Sequence, residues 1–285
     1  MGERGYLDLL KEIATEGKLR SNRTGIDTYS LFGKHLEFDI SESFPLITTK
    51  KTFFKGIAQE LLWFLEGSTD AKKLNERGCK IWNGNSTKEF LENRELNYRE
   101  GDIGPMYGFQ WRHCGSEYRG CDADYTGEGI DQIQKVIDLI KTDPDSRRMV
   151  ISSYIPHQLN EMALEPCHCL VQFYVDDGFL SGHMYQRSAD FFLGVPFNIA
   201  SYSLLIYMMA HVTGTKPGKF HISFGDAHVY SNHLKQLETQ LERDIKPPPK
   251  LKIKGDHTSI FDIKYEDLEL IDYEHHPYIK ADMAV

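Results

Sequence analysis

Pro166-Cys167-His168, Gln186-Arg187-Ser188-Ala189-Asp190 and Pro196-Phe197-Asn198 bring an unusual set of reactive side chains into one short stretch. A cysteine attacks as its thiolate, and a nearby cation such as Arg187 favours that state. Arg187 and Ser188 together offer a planar guanidinium fork and a hydroxyl, a donor set that suits phosphate oxygens. Arg23 and the adjacent pair Arg147 and Arg148 supply further cations. The amide of Asn198 can accept from one ring N–H and donate to the neighbouring carbonyl. Uracil presents that pattern; cytosine presents the reverse, which an Asp would suit better. Glu60 sits in a helix with little polar face, where burial would raise its pKa and make it a proton carrier. His228 and Tyr230, two apart on a strand, could bind a sugar hydroxyl. The chemistry implied is covalent attack on a phosphorylated, electron-poor heterocycle.

Each residue also has a plainer reading. Cys167 could be a small core residue, although Pro166 and His168 are odd neighbours for a core position. Any one Arg could serve a surface ion pair. Asn198 could be the N-terminal cap of the apolar helix that follows. Arg147 and Arg148 would face opposite ways on a regular strand, so serving one phosphate requires irregular backbone there.

These groups need elements to place them. Apolar spacing predicts a helix over 6–17 and another over 53–65, closed by Gly67. Ile130, Ile133, Ile137 and Ile140 predict a third, stopped by Pro144. Residues 29–38, 149–154, 170–175 and 179–186 read as strands, with Asp176-Asp177-Gly178 turning the third into the fourth. That hairpin would return Arg187 toward Cys167. The run 197–212 is the most apolar, but it carries Asn198, hydroxyls and His211, so a buried core helix is expected rather than a membrane span. Helix and strand signals mix without a steady βαβ rhythm, which favours α+β.

The chain has 285 residues, 40% hydrophobic and 26% charged, which predicts a sizeable core and one large domain over 1–285. A net charge of -9 argues against general nucleic-acid binding but allows a local Arg cluster to draw in an anion. Five cysteines at irregular spacing and no apolar leader suggest reduced thiols in the cytosol, with the nucleus also open to the protein. The sequons at Asn22 and Asn85 then read as chance.

Beyond these groups, the segments Arg23-Thr24-Gly25, Thr48-Thr49-Lys50-Lys51, Glu60-Leu61-Leu62-Trp63, Gly104-Pro105-Met106-Tyr107-Gly108 and Leu193-Gly194-Val195-Pro196-Phe197-Asn198 recur in order. With them the chain resembles thymidylate synthases of the folate-dependent, cysteine-nucleophile type, from about Tyr6 to Val285. His113 to Gly129 and the ending Met283-Ala284-Val285 look closest to eukaryotic-type enzymes. The resemblance implies an α+β domain with a mixed, curved sheet flanked by helices, one sheet face meeting a second copy in a homodimer. It implies that dUMP is methylated to dTMP, with 5,10-methylenetetrahydrofolate as co-substrate and no metal. Cys167 would attack the pyrimidine, and Glu60 and Tyr107 would manage protons. Arg23, His168, Gln186, Arg187, Ser188, Asp190, Asn198, His228 and Tyr230 would bind dUMP, with Arg147 and Arg148 from the other subunit. Lys50, Ile81, Trp82, Asn85, Asp190, Leu193, Gly194, Phe197 and Val285 would line the folate, Lys50 facing its glutamate tail and Val285 closing over it as a lid.

The chain departs from the family pattern at Tyr154-Ile155 (usually Trp-Asn), Glu165 (usually Pro), Ile26-Asp27 and Cys169. None removes a reacting group, and Glu165 would raise the pKa of Cys167 if its charge pointed inward. The rival of the same fold is a deoxyuridylate hydroxymethylase, in which water replaces hydride. A zinc deaminase needs Pro-Cys-x-x-Cys beside a His-x-Glu such as His35-Leu36-Glu37, and Pro166-Cys167-His168-Cys169 does not supply it. A regulator built on an inactive scaffold fits poorly with a full set of reacting groups.

Overall fold

The computed structural model describes residues 2–282. In chain order the elements are α1 (Gly2–Glu16), β1 (Lys18–Arg20), β2 (Thr28–Asp39), α2 (Phe54–Leu65), α3 (Ala71–Glu76), α4 (Lys88–Asn93), α5 (Tyr107–His113), α6 (Gln132–Thr142) and β3 (Val150–Ser152). They continue as β4 (His168–Asp176), β5 (Phe179–Asp190), α7 (Gly194–Thr213), β6 (Lys216–Tyr230), α8 (Leu234–Leu241), β7 (Lys250–Ile253) and β8 (Leu268–Ile271). They group into two compact units: the first is residues 1–54 with 175–285, and the second is residues 55–174, inserted between.

In the first unit the strand order is β1-β2-β6-β5. β2 runs antiparallel to β6, whereas β5 runs parallel to it. The sheet is therefore mixed, as expected for α+β. Parallel neighbours need a long crossover, and α7 supplies it between β5 and β6. α1 packs on β2 and α7 on β5 and β6. Leu36, Phe38, Leu180, Met184, Phe220 and Ile222 fill that side, each nearly or fully sealed from solvent. α7 is apolar nearly all round and buried, as its sequence predicts. It is long and apolar enough to cross a membrane by composition, yet most of it lies inside the protein. The turn into β5 has positive φ at Asp177 (47°) and Gly178 (78°). Two such residues in succession make the type I′ turn that suits a hairpin.

In the second unit α2 is the buried centre, and α5 lies against it. A Cβ on Gly108 would come 2.9 Å from the Ser68 carbonyl oxygen and 3.0 Å from that of Phe64, so only glycine allows this approach. Asp131 accepts from the Gln134 N–H and starts α6 there, leaving the exposed Ile130 outside the helix predicted to include it. β3 spans only three residues and pairs antiparallel with β4. The strand expected from 149 therefore begins one residue later and ends early.

Candidate active site

In the second unit the ring of Tyr107 connects the expected proton carrier and the expected nucleophile. α2 presents Glu60, whose Oε1 accepts from Trp82 Nε1 at 2.8 Å. Trp82 packs edge-on against Tyr107 with ring centroids 6.1 Å apart, and Phe64 lies at 5.0 Å on Tyr107. The Tyr107 hydroxyl accepts the Cys167 N–H at 2.9 Å and the His168 N–H at 3.5 Å, and the His168 ring lies 5.1 Å from that of Tyr107. Burial pushes the Glu60 carboxyl up to about 7, and the Trp82 bond only partly offsets this. Glu60 is thus half-protonated near neutrality, as a proton carrier requires.

Cys167 is partly exposed, while Cys169 is buried with its Sγ against the carbonyl oxygens of Pro166 and Cys167 at 3.8 and 3.6 Å. The second thiol therefore points into the protein. Glu165 receives the Tyr154 hydroxyl at 3.4 Å, so two of the positions that depart from the family pattern touch each other. Ile81 is partly exposed beside Trp82, and Asn85 is buried, which removes its sequon as an attachment site.

Arg147 and Arg148 lie in a turn before β3, not on the strand, which is the irregular backbone a shared ligand would demand. Both are exposed, and among the described residues neither guanidinium has an ion-pair or hydrogen-bond partner. Asp70, Cys121 and Asp122 also converge in this unit, with donor atoms within 4.8 Å. Arg99 already bridges the two carboxylates at 2.8 and 2.7 Å, so a guanidinium serves as their counter-ion.

In the first unit β5 and the start of α7 hold a second cluster. Gln186 is buried and donates to Asn198 Oδ1 at 3.0 Å and to the Ser188 carbonyl oxygen at 3.1 Å. Asn198 is not the helix cap: α7 begins at Gly194, and Asn198 lies inside it. Pro196 is tolerated because the first-turn N–H groups have no partner within the helix. Asp190 Oδ1 accepts the N–H groups of Phe192 and Leu193 at 3.0 and 3.1 Å, which shapes the entry to α7. Leu193, Gly194 and Phe197 remain partly exposed there.

The parallel register sets Asp190 opposite His228 and Ser188 opposite Asp226. β6 approaches closely because a Cβ on Gly225 would lie 2.8 Å from the Arg187 carbonyl oxygen. His228 Nδ1 bonds Asp226 Oδ1 at 3.0 Å, and Asp226 also accepts from Ser30 at 2.9 Å. The bond to His228, more than the one to Ser30, holds the Asp226 carboxyl below its ordinary range. This bond orients the imidazole so that Nε2 is left for a ligand. Tyr230 packs edge-on to His228 at 5.5 Å. The residue types alone missed Asp226; its signal was the two-residue spacing to His228, which puts both on one strand face.

Arg23 is exposed in the loop between β1 and β2. Asn22 organises that loop, accepting from the Thr24 N–H and hydroxyl at 2.9 and 2.6 Å and donating to the Ile26 carbonyl oxygen at 2.7 Å. Lys50 instead turns inward. It is buried, its amine bonds the Phe192 carbonyl oxygen, and its Nζ stands 3.6 Å over the Phe192 ring. Burial pulls its pKa down to about 7, with Asp190 opposing and Arg243 assisting. Val285 lies outside the described residues.

The profile of the thymidylate synthase family matches residues 4–285. The chain belongs to the thymidylate synthase family. It is 51% identical over 285 residues to the thymidylate synthase of Homo sapiens, covering all of this chain and 91% of that one. It is 52% identical over 281 residues to the thymidylate synthase of human herpesvirus 8, covering 98% of this chain and 83% of the viral one. A bifunctional dihydrofolate reductase-thymidylate synthase of Paramecium tetraurelia is 51% identical over 284 residues, of which this chain spans 61% of the length. Neither the deaminase nor the inactive scaffold is supported by this kinship.

Proposed function

We propose that the chain carries out the family's reaction, the reductive methylation of dUMP to dTMP, with 5,10-methylenetetrahydrofolate giving up one carbon and a hydride and leaving as dihydrofolate. The observation that carries this reading is the kinship to thymidylate synthases, which spans this whole chain and 91% of the human protein, in a chain that holds Pro166-Cys167-His168 and Gln186-Arg187-Ser188. The hydroxymethylase reading has no comparable support.

In this mechanism the Cys167 thiolate adds to C6 of the uracil ring, and the electron pair moves to C5. C5 forms a bond to the one-carbon unit, then loses its proton; the carbon–nitrogen bond to the folate breaks, tetrahydrofolate takes the electron pair, and an exocyclic methylene remains on C5. Glu60, through water and with Tyr107, shuttles protons during these steps; a carboxyl with a pKa of about 7 both gives and takes a proton at neutral pH. Hydride completes the methyl group, and the C6–S bond breaks to free Cys167. Arg187 favours the thiolate and, with Arg23 and Ser188, holds the phosphate, while His168 and Gln186 complete the nucleotide site. Asn198 reads the uracil: its Oδ1 takes one bond from Gln186 and keeps a second lone pair for the ring N–H, and its NH2 donates to the carbonyl. His228 and Tyr230 bind the ribose hydroxyl. Trp82, Leu193 and Phe197 offer partly exposed apolar surface for a flat pterin, and Asp190 offers it an acceptor. Ile81, Asn85 and Gly194 complete that side. Lys50 would have to leave Phe192 to meet the folate tail.

The chain works as a homodimer in the cytosol on this reading, with Arg147 and Arg148 reaching the phosphate bound to the other copy. Two exposed guanidiniums without partners among the described residues support it. The test is a turnover assay with dUMP and the folate, following products by chromatography. Equal amounts of dTMP and dihydrofolate are expected; hydroxymethyl-dUMP with tetrahydrofolate would establish the rival instead.

A further inference from the structure

Lys50 reaches into the protein, away from the solvated place where an anionic folate tail would meet it. Its target is the turn 190–193, which leads from β5 into α7 and carries Asp190 and Leu193 toward the folate side. Phe191 and Phe192 in this turn are fully sealed from solvent. A buried backbone N–H or carbonyl left without a partner is costly, so the turn needs donors and acceptors brought to it. The Phe191 N–H donates to the His228 carbonyl oxygen at 2.8 Å. The Phe191 carbonyl oxygen accepts the Tyr6 hydroxyl at 2.9 Å. The Phe192 N–H goes to Asp190 Oδ1 at 3.0 Å. The Phe192 carbonyl oxygen accepts from the Lys50 amine.

Lys50 is built into this place. The chain just before it is fixed on three sides. Glu3 of α1 accepts the N–H groups of Thr48 and Thr49 at 3.0 and 2.8 Å. Arg243, just past α8, donates to the Thr49 carbonyl oxygen at 2.8 Å. The His276 N–H donates to that of Thr48 at 2.8 Å. Thr48 and Thr49 are fully buried, and Lys50 is 6% exposed. Its Nζ also stands 3.6 Å over the Phe192 ring, so the same side chain grips both the carbonyl and the ring of that residue.

Swinging the amine outward would strip a buried carbonyl of a donor and break the contact with the ring. The return would be an ion pair in solvent, which water and salt weaken. A buried hydrogen bond left unmade costs more than such a pair gains. The inward state therefore wins even when an anionic tail is offered.

We propose that Lys50 is a positioning residue of the folate site: its amine holds Phe192 and so fixes the turn that aims Asp190 and Leu193, while the anionic tail binds without it. The inference rests on the folate reading above and deepens it at one residue.

The test compares Lys50→Met, which keeps the bulk and loses the donor, with Lys50→Gln, which keeps an N–H donor and loses the charge. Each is assayed for dTMP with 5,10-methylenetetrahydrofolate and with 5,10-methylenetetrahydropteroyl amide, the same ring system without the anionic glutamate. Lys50→Met is expected to lose about 10- to 100-fold in kcat/KM, by the same factor within about threefold for both compounds. Lys50→Gln is expected to retain more than Lys50→Met with both. In the ligand-free protein, amide hydrogen exchange at 191–193 should quicken at least about tenfold in Lys50→Met, an effect that a tail ligand would not produce. A loss confined to the glutamate compound and equal in the two variants overturns the proposal and returns Lys50 to the tail, as does unchanged exchange in the turn. If Lys50→Met fails to fold, the ratio of the two compounds in Lys50→Gln decides in the same way. A wild-type chain that makes no dTMP from either compound overturns the proposed reaction itself.

Discussion

The aromatic cluster around Tyr107 and the exposed arginines handle charge in opposite ways. Glu60 is half-buried in an apolar helix, bonded by an indole N–H, and its carboxyl is pushed up to about 7. Arg23, Arg147 and Arg148 stay in solvent. The contrast follows from their tasks. A proton carrier must have its two charge states balanced near the working pH, and burial achieves that. A phosphate clamp must stay charged and reach outward, and a long solvated guanidinium does so without a buried, unpaired charge. Substitutions in the first region should therefore alter rate, pH dependence and stability, and those in the second should alter substrate affinity.

The largest effect expected is at the nucleophile. Cys167→Ser should lower kcat at least about 10⁴-fold in the dTMP assay, with circular dichroism unchanged. Glu60→Gln comes next, lowering kcat about 10²- to 10³-fold and abolishing the rate limb near pH 7. Its stability signature has a definite sign. The folded pKa lies above the ordinary 4.5, so the contribution of Glu60 is full below that value and is lost as pH rises through about 7. The variant should lack this loss when denaturation is followed across that range.

Tyr107→Phe sharpens the contrast, because it leaves two backbone N–H groups without their acceptor. It should destabilise the fold by about 1–3 kcal/mol in denaturant titrations and slow turnover as the Cys167 backbone loosens. The exposed region should respond differently. Arg147→Ala and Arg148→Ala should each raise KM for dUMP roughly tenfold, leave kcat within about threefold, and change stability by under about 0.5 kcal/mol. An equal fall in kcat at these arginines would erase the distinction.

Legibility in the sequence followed physical scale. Long periodic elements such as α1, α6 and α7 could be read because their apolar spacing is set by burial of one stripe or of the whole surface. The turn Asp176-Asp177-Gly178 could be read because few residues accept positive φ. The helices α3, α4 and α5 are too short to show a period. The parallel pairing of β5 with β6 had no local signal, since the register is set by the crossover through α7. The helix start at Gly194 was hidden by Pro196, which reads as a break yet is tolerated in a first turn. In the site, residue types pointed to Cys167, Asn198 and Glu60. The Trp82–Tyr107 contact that ties Glu60 to the Cys167 backbone is a tertiary product, and so is the inward turn of Lys50.

The most direct measurement is incubation of the full chain with 5-fluoro-dUMP and methylenetetrahydrofolate, followed by peptide mapping by mass spectrometry. Fluorine at C5 cannot leave as the proton does, so the covalent intermediate should accumulate. A peptide bearing nucleotide and folate together on Cys167 is the predicted result. An adduct on another residue, or none from folded protein that binds both ligands, would contradict attack by Cys167.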